Sequence, residues 1–160
     1  MGSMPRRADE PLEFRREGLL VSTDQRRLDL PAVLAMLRGT HWGGELGLET
    51  LERATANSLC FGLYDGPAQI GFARVITDYT TYGYLSDVVI AESRRGLGLG
   101  EWLVECILAH PGLQRLRRLA LLTRDSPDLY ARFGFVPGSG SLGYMELVGG
   151  ASAATGRAKG

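Results

Sequence analysis

The sequence predicts an α/β fold built on one sheet of mixed strand direction. Three observations carry that prediction. The apolar runs Leu59 to Tyr64 and Ala68 to Thr77 flank Asp65-Gly66-Pro67, a hairpin signal because Gly66 tolerates positive φ. A further apolar run, Leu85 to Ile90, enters a glycine-rich turn that opens into residues of helical periodicity. Strand-like and helix-like segments then follow in the order β-α-α-β-β-β-α-β-α-β, with room for one more strand. Such an order needs both hairpins and a parallel crossover in one sheet.

From the N-terminus, Met1-Gly2-Ser3 reads as an expression-tag remnant ahead of Met4, and residues 1–11 as a flexible lead. Arg6 stands where a myristoylation signal wants serine or threonine. A single domain is expected over residues 12–148, opening with a strand near Phe14 to Ser22. Asp29-Leu30-Pro31 starts a short helix, with an N-cap residue and a first-turn proline. A longer helix is expected from Glu45 to Asn57, where Leu48, Leu51, Ala54 and Thr55 form one apolar stripe.

After the hairpin, Tyr82 to Ile90 is the next strand and Leu99 to His110 the next helix. On that helix Leu99, Trp102, Leu103, Cys106, Ile107 and His110 share a core-facing stripe, with His110 placed as a C-terminal dipole partner. Leu119 to Thr123 reads as a strand, Asp125-Ser126-Pro127 starts a late helix that Gly134 closes, and Ser141 to Val148 is a last strand. The small, polar residues 149–160 have too little apolar surface to order and form a mobile tail.

Composition excludes several function classes. Eighteen basic residues balance eighteen acidic ones, so no overall field favours nucleic acid or an anionic membrane. Arg115, Arg117 and Arg118 read as a solvated turn. With 160 residues, 44% hydrophobic and 22% charged, the chain is of ordinary globular composition with enough length for one core. No signal peptide or stretch of eighteen apolar residues is present, so a cytoplasmic location is expected. The two cysteines, Cys60 and Cys106, read as small core residues, and His41 and His110 lie too far apart to suggest zinc. No metal is expected.

Chemistry concentrates in Arg94-Arg95-Gly96-Leu97-Gly98-Leu99-Gly100, between a strand and a helix. Glycines let the backbone approach a phosphate, first-turn N–H groups lack intrahelical partners, and the helix dipole adds roughly half a positive charge. A ligand carrying a diphosphate is expected. The spacing matches neither the phosphate loop of the NTPases nor the Rossmann fingerprint.

Arg95-x-x-Gly98-x-Gly100 instead resembles the pyrophosphate loop of the GNAT superfamily of N-acetyltransferases, [QR]-x-x-G-x-[GA] after a strand. Asp128 to Phe135, with Tyr130 three residues before Phe133-Gly134-Phe135, resembles the same superfamily's late helix. The resemblance covers roughly residues 12–148. It implies a sheet whose central parallel strands splay to admit pantetheine, and acetyl-coenzyme A as co-substrate. By resemblance, the coenzyme contacts are Val88, Val89, Ile90, the loop from Arg94 to Gly100, and Thr123 or Asp125 where relatives carry asparagine.

Acetyl transfer to an amine makes three demands. An alkylamine with a pKa of about 10.4 must lose a proton, and something must accept it. Asp87 is the candidate, because it stands in an otherwise apolar strand where burial disfavours a charged carboxylate. The alternative is that Asp87 simply pairs with a buried arginine, Arg74 or Arg124. Next, the oxyanion needs a backbone donor near Val88 to Ile90, which a β-bulge would supply. Finally, the departing thiolate needs a proton, and Tyr130, a phenol with a reference pKa of about 10, fills that position by resemblance. His41, Trp42, Arg74 and Tyr84 are the candidate acceptor pocket, aromatic and basic.

The expected activity is therefore transfer of an acetyl group to a primary amine of a small molecule, by direct attack in a ternary complex. A protein or peptide acceptor and a non-catalytic acyl-coenzyme A binding module are the alternatives. Oligomeric state stays open, a homodimer included.

Overall fold

The computed structural model describes residues 10–40, 43–138 and 143–150. It divides after Leu122 into two units. The first unit is a six-stranded sheet whose spatial order follows the chain order. Strands β1 (Glu13–Arg16), β2 (Leu19–Ser22), β3 (Leu59–Asp65), β4 (Ala68–Thr77) and β5 (Tyr82–Ile90) pair antiparallel in succession, and β6 (Arg118–Leu121) pairs parallel to β5. The mixed sheet is the one expected from the sequence.

The expected single strand from Phe14 to Ser22 is two strands. The chain reverses at Glu17 and Gly18, whose φ angles of 49° and 81° place both in the left-handed region. A two-residue turn with both φ positive matches the twist of the flanking strands. Its usual markers are Asn-Gly or Asp-Gly, so a glutamate in that position hides the signal.

Helix α1 (Leu30–Arg38) starts where expected, with the Asp29 carboxylate accepting the Ala32 N–H at 3.1 Å. Helix α2 (Leu48–Ala56) starts later than Glu45, because Gly47 is its N-cap in an extended conformation. Ahead of it, the Leu46 N–H closes a turn on the Gly43 carbonyl at 3.2 Å. Together these helices cover one face of the sheet. Val33, Leu34 and Leu37 of α1 and Leu51 of α2 pack with Cys60, Phe72 and Val89 of the sheet.

Helix α3 (Leu99–Ala109) buries Trp102, Leu103, Val104, Cys106 and Ile107. Phe61 is one residue out of phase with Cys60 and therefore faces the other way. Its ring meets His110 edge-on at 5.8 Å, at the end of α3. His110 is not the charged dipole partner expected. Its ring is buried, its Nδ1 accepts the Gly112 N–H at 3.0 Å, and burial lowers its pKa, so it is a neutral cap on the turn that follows.

Two irregularities of β5 shape what lies above it. Its pairing with β6 ends at Leu85 opposite Leu121, yet β5 continues to Ile90. From Ser86 to Ile90 the strand is paired on the β4 side alone among the described residues. In the ladder with β4, Phe72 opposes Val89 while Arg74 opposes Ser86. One extra residue is thus inserted in β5, and Asp87 takes φ 57° there. This is the bulge that the sequence argument required and could not display.

The second unit, from Thr123, contains α4 (Pro127–Ala131). After α4 the N–H groups of Phe133 and Phe135 both bond the Tyr130 carbonyl, at 3.0 and 3.2 Å, and Gly134 takes φ 91°. The expected last strand is not seen over its described part, residues 143–148; Ser141 and Leu142 lie outside the described residues. Strand propensity needs a ladder partner to act on. None accepts this segment among the described residues, and Tyr144, Met145 and Val148 stand exposed.

Candidate functional site

The glycine loop opens from the end of β5. There the Ala91 N–H donates to the Ile70 carbonyl at 2.8 Å, and a single 3-10 turn over Glu92–Arg94 follows. Gly96 and Gly98 then take φ 77° and 74°, and Gly98 is the N-cap of α3 with no side-chain cap. A Cβ at either glycine would meet nothing within 4 Å, so glycine is needed for the backbone angle and the space above the loop is open. The first helical bond of α3 runs from the Trp102 N–H to the Gly98 carbonyl at 3.1 Å. The N–H groups of Leu99 and Gly100 precede it in the turn where the dipole is most positive. Open space, αL glycines and unlinked N–H groups fit a diphosphate.

The two loop arginines are tied to the sheet. The Arg94 guanidinium is ion-paired with Asp65 at the β3–β4 turn at 2.8 Å, and Arg95 Nε donates to the Ile90 carbonyl at 3.1 Å. Both tether the loop to the sheet while keeping positive charge beside it. Leu97, at the loop's tip, is 66% exposed.

A second feature lies in the same unit, on the α1–α2 face of the sheet. The bulge puts Ser86 and Asp87 side by side on the face of Arg74, and Arg74 Nε donates to Asp87 Oδ2. Arg74 Nη1 donates to Ser58 Oγ at 3.1 Å, and Ser58 Oγ donates in turn to the Ala54 carbonyl at 2.7 Å. The side chains of the pair are 16% and 14% exposed. Of the two arginines weighed as partners for Asp87, Arg74 is the one that compensates it. Arg124, the other arginine weighed, pairs with its neighbour Asp125 at 3.0 Å.

Above the ion pair a cleft of about 140 Å³ opens between the helices and the sheet. Leu37, Leu46, Thr50, Leu51 and Ala54 form its walls, and Arg74 and Asp87 its charged floor. Gly43 contributes a close backbone approach: a Cβ there would lie 2.2 Å from the Leu37 carbonyl oxygen. Cys60 shares this sheet face, and burial pushes its thiol up to about 12, with Arg74 opposing and Asp87 adding to the rise. It is an inert core thiol. The cleft walls and Ser58 escaped the sequence reading, because Leu51 and Ala54 read as part of one apolar stripe and nothing local marks which of its residues border an opening.

The remaining candidates divide by place. Tyr84 sits on β5 opposite Ile76, on the sheet face of Arg74 but two pairs further from the bulge. Val89 is buried with Phe72, which leaves only its backbone to meet a ligand, while Val88 and Ile90 are partly exposed. His41 and Trp42 lie outside the described residues. In the second unit Thr123 Oγ1 accepts the Ser126 N–H at 3.1 Å, a turn contact ahead of α4. Tyr130 meets Phe135 edge-on at 5.8 Å and 76°, and burial raises its pKa, so the phenol keeps its proton at neutral pH. Outside these candidates, Asp78, just past the end of β4, is structural: the N–H groups of Thr80, Thr81 and Tyr82 and the Thr81 hydroxyl bond its carboxylate and hold it well below the usual range. Arg115, Arg117 and Arg118 are exposed; Arg115 and Arg117 lie in the expected turn, whereas Arg118 already opens β6.

Among the described residues no cluster of three or more His, Cys, Asp and Glu is arranged to hold a metal, and no helix is long and apolar enough to cross a membrane.

Comparison with known proteins agrees with this layout. The family model of the acetyltransferase (GNAT) domain matches residues 56–137, the span holding the hairpin, the bulge, the glycine loop and α4. A Gibberella zeae protein named "Putative acetyltransferase" is 35% identical over 144 residues, covering 77% of this chain and 81% of that protein. The crystal structure of a GNAT-family protein from Xanthomonas campestris pv. campestris, also titled a putative acetyltransferase, superposes with a TM-score of 0.76 at 41% identity, over 81% of this chain and 93% of that one. N-acetylglutamate synthase from Neisseria gonorrhoeae, solved with coenzyme A and N-acetyl-glutamate, shares the fold at a TM-score of 0.66 and 19% identity, over 91% of this chain and 34% of that one. The chain belongs to the GNAT family of acetyltransferases.

Proposed function

We propose that the protein transfers the acetyl group of acetyl-coenzyme A to the primary amine of a small molecule, by direct attack in a ternary complex. One observation carries this reading. A single strand, β5, leads from a charged cleft at its bulge, along an edge with no partner on the β6 side from Ser86 to Ile90 among the described residues, to a glycine turn and the N-terminus of α3. When bound, acetyl-coenzyme A supplies an activated thioester. The glycine loop and the first turn of α3 hold its diphosphate, and the open β5 edge receives its extended arm as a sheet receives a strand. The fold neighbour solved with coenzyme A supports that ligand class.

This chain's own groups then orient and move protons. Asp87 binds the acceptor's amine and takes up its proton. A backbone N–H at the bulge faces the oxygen on which charge develops. Tyr130, protonated at neutral pH, gives its proton to the leaving sulfur. A cleft of about 140 Å³ suits a small acceptor better than an extended peptide.

The test is release of free thiol from acetyl-coenzyme A against pooled amines, amino acids and peptides. Amine-dependent release is expected. Calorimetry that registers no heat with saturating coenzyme A, together with an unmoved melting point, would overturn the proposal. Coenzyme binding without turnover on any pool would favour a non-catalytic acyl-coenzyme A module.

A further inference from the structure

The floor of the cleft carries two opposite charges rather than one, and that bears on what it can hold. We propose that the acceptor is a free α-amino acid with a small aliphatic side chain, its ammonium held by Asp87 and its carboxylate by Arg74. The inference rests on the acetyl-transfer reading above and names the substrate class of that same site.

The argument starts from electrostatics. A simple alkylammonium approaching Asp87 meets the compensating guanidinium at almost the same distance, so attraction and repulsion largely cancel. A carboxylate approaching Arg74 meets Asp87 in the same way. A molecule that carries both charges a few bonds apart gains from both ends, because its own dipole opposes that of the pair. Arg74 has the donors for this. Its Nε and Nη1 are engaged by Asp87 and Ser58, while Nη2 carries no hydrogen bond among the described residues and the side chain lines the cleft. Ser58, itself fixed on the Ala54 carbonyl, holds the guanidinium plane in place.

Size and wall chemistry agree. A dry void of about 150 Å³ admits a molecule the size of benzene, six heavy atoms. The cleft's volume of about 140 Å³ therefore takes the five heavy atoms of an amino-acid head group and little beyond it. Its walls are apolar at Leu37, Leu46, Leu51 and Ala54, with the Thr50 hydroxyl as the one polar side chain above the charged floor, so most of the lining offers contact to an aliphatic side chain.

The ammonium first gives one proton to Asp87, which passes it on to solvent. The neutral amine nitrogen then forms a bond to the acetyl carbonyl carbon, the carbon–sulfur bond breaks, Tyr130 protonates the departing thiolate, and the second nitrogen proton, lost as the amide forms, restores the phenol. The products are an N-acetyl amino acid and coenzyme A.

The test compares free alanine and valine, their carboxamides, and ethylamine and isobutylamine, by thiol release at one pH near neutrality. Carboxamides have the more acidic ammonium and so the larger fraction of neutral, reactive amine, which makes them the better substrates on intrinsic chemistry alone. A kcat/KM at least tenfold higher for the free amino acids is expected, the reverse of the intrinsic order. In Arg74→Lys, which keeps the charge but not the fork, the loss should be several-fold larger for the amino acids than for the carboxamides. Equal or better use of carboxamides and simple amines overturns the amino-acid assignment while acetyl transfer stands. Thiol release on none of the panel but on peptides also overturns it. Coenzyme binding with no thiol release from any amine overturns the transfer reading itself.

Discussion

The Arg74–Asp87 pair allows a double-mutant cycle whose size follows from its surroundings. Replacing Asp87 by Asn keeps the shape and suits the left-handed backbone at φ 57°, since asparagine tolerates that region, but leaves a guanidinium 16% exposed without its anion. Breaking one side of a buried pair costs about 3–5 kcal/mol, and the residual exposure puts this one at the lower end, about 3 kcal/mol. Arg74→Gln leaves the carboxylate unpaired and also removes the donor to Ser58, for a similar loss of about 3 kcal/mol. The double variant carries a neutral amide pair able to hydrogen-bond, and should cost well under the sum, giving a coupling of about 2 kcal/mol or more. Urea unfolding of the four proteins at neutral pH measures each term. For a domain of this size, each single variant should melt roughly 6–12 °C lower, at about 2–4 °C per kcal/mol. Additive losses, or single losses below about 0.5 kcal/mol, would refute the pair as the organiser of the cleft floor.

Three other outcomes are expected. Tyr130→Phe should lower turnover about 100-fold and leave coenzyme A affinity within about twofold, and unchanged turnover by thiol release removes the phenol from the acid role. Gly98→Ala forces a Cβ into φ 74° at a cost of about 1–2 kcal/mol without any clash, so calorimetry should find coenzyme A binding weakened and the melting point a few degrees lower. His110 has a folded pKa below its ordinary 6.5, so the unfolded chain takes up that proton first. Its contribution to stability is full above about pH 6.5 and is lost as pH falls through and below that value. Unfolding free energies of the protein and of His110→Asn, measured from pH 7.5 to 5.0, should show the flatter acid limb in the variant.

Local chemistry made much of this protein legible in its sequence. The hairpin at Gly66, the cap at Asp29, the strand ending at Ile90 and the two αL glycines at 96 and 98 each depend on residues a few positions apart, so the strand, turn and following helix came directly from local sequence. The β1–β2 turn was hidden because Glu17 adopts an angle that glutamate rarely takes. The expected last strand failed over its described part for the opposite reason: residues with strand propensity found no ladder to join.

What the sequence alone determined was the fold class, the family and the glycine turn between β5 and α3. Tertiary structure decided that Asp87 answers to Arg74, that Arg94 and Arg95 are tethers to Asp65 and Ile90, and that the α1–α2 face opens into a cleft over the ion pair. The difference is physical. A glycine's conformational freedom belongs to the residue, whereas a bulge is an offset between two strands and a charge partner is a contact across them, and neither exists until the strands have paired.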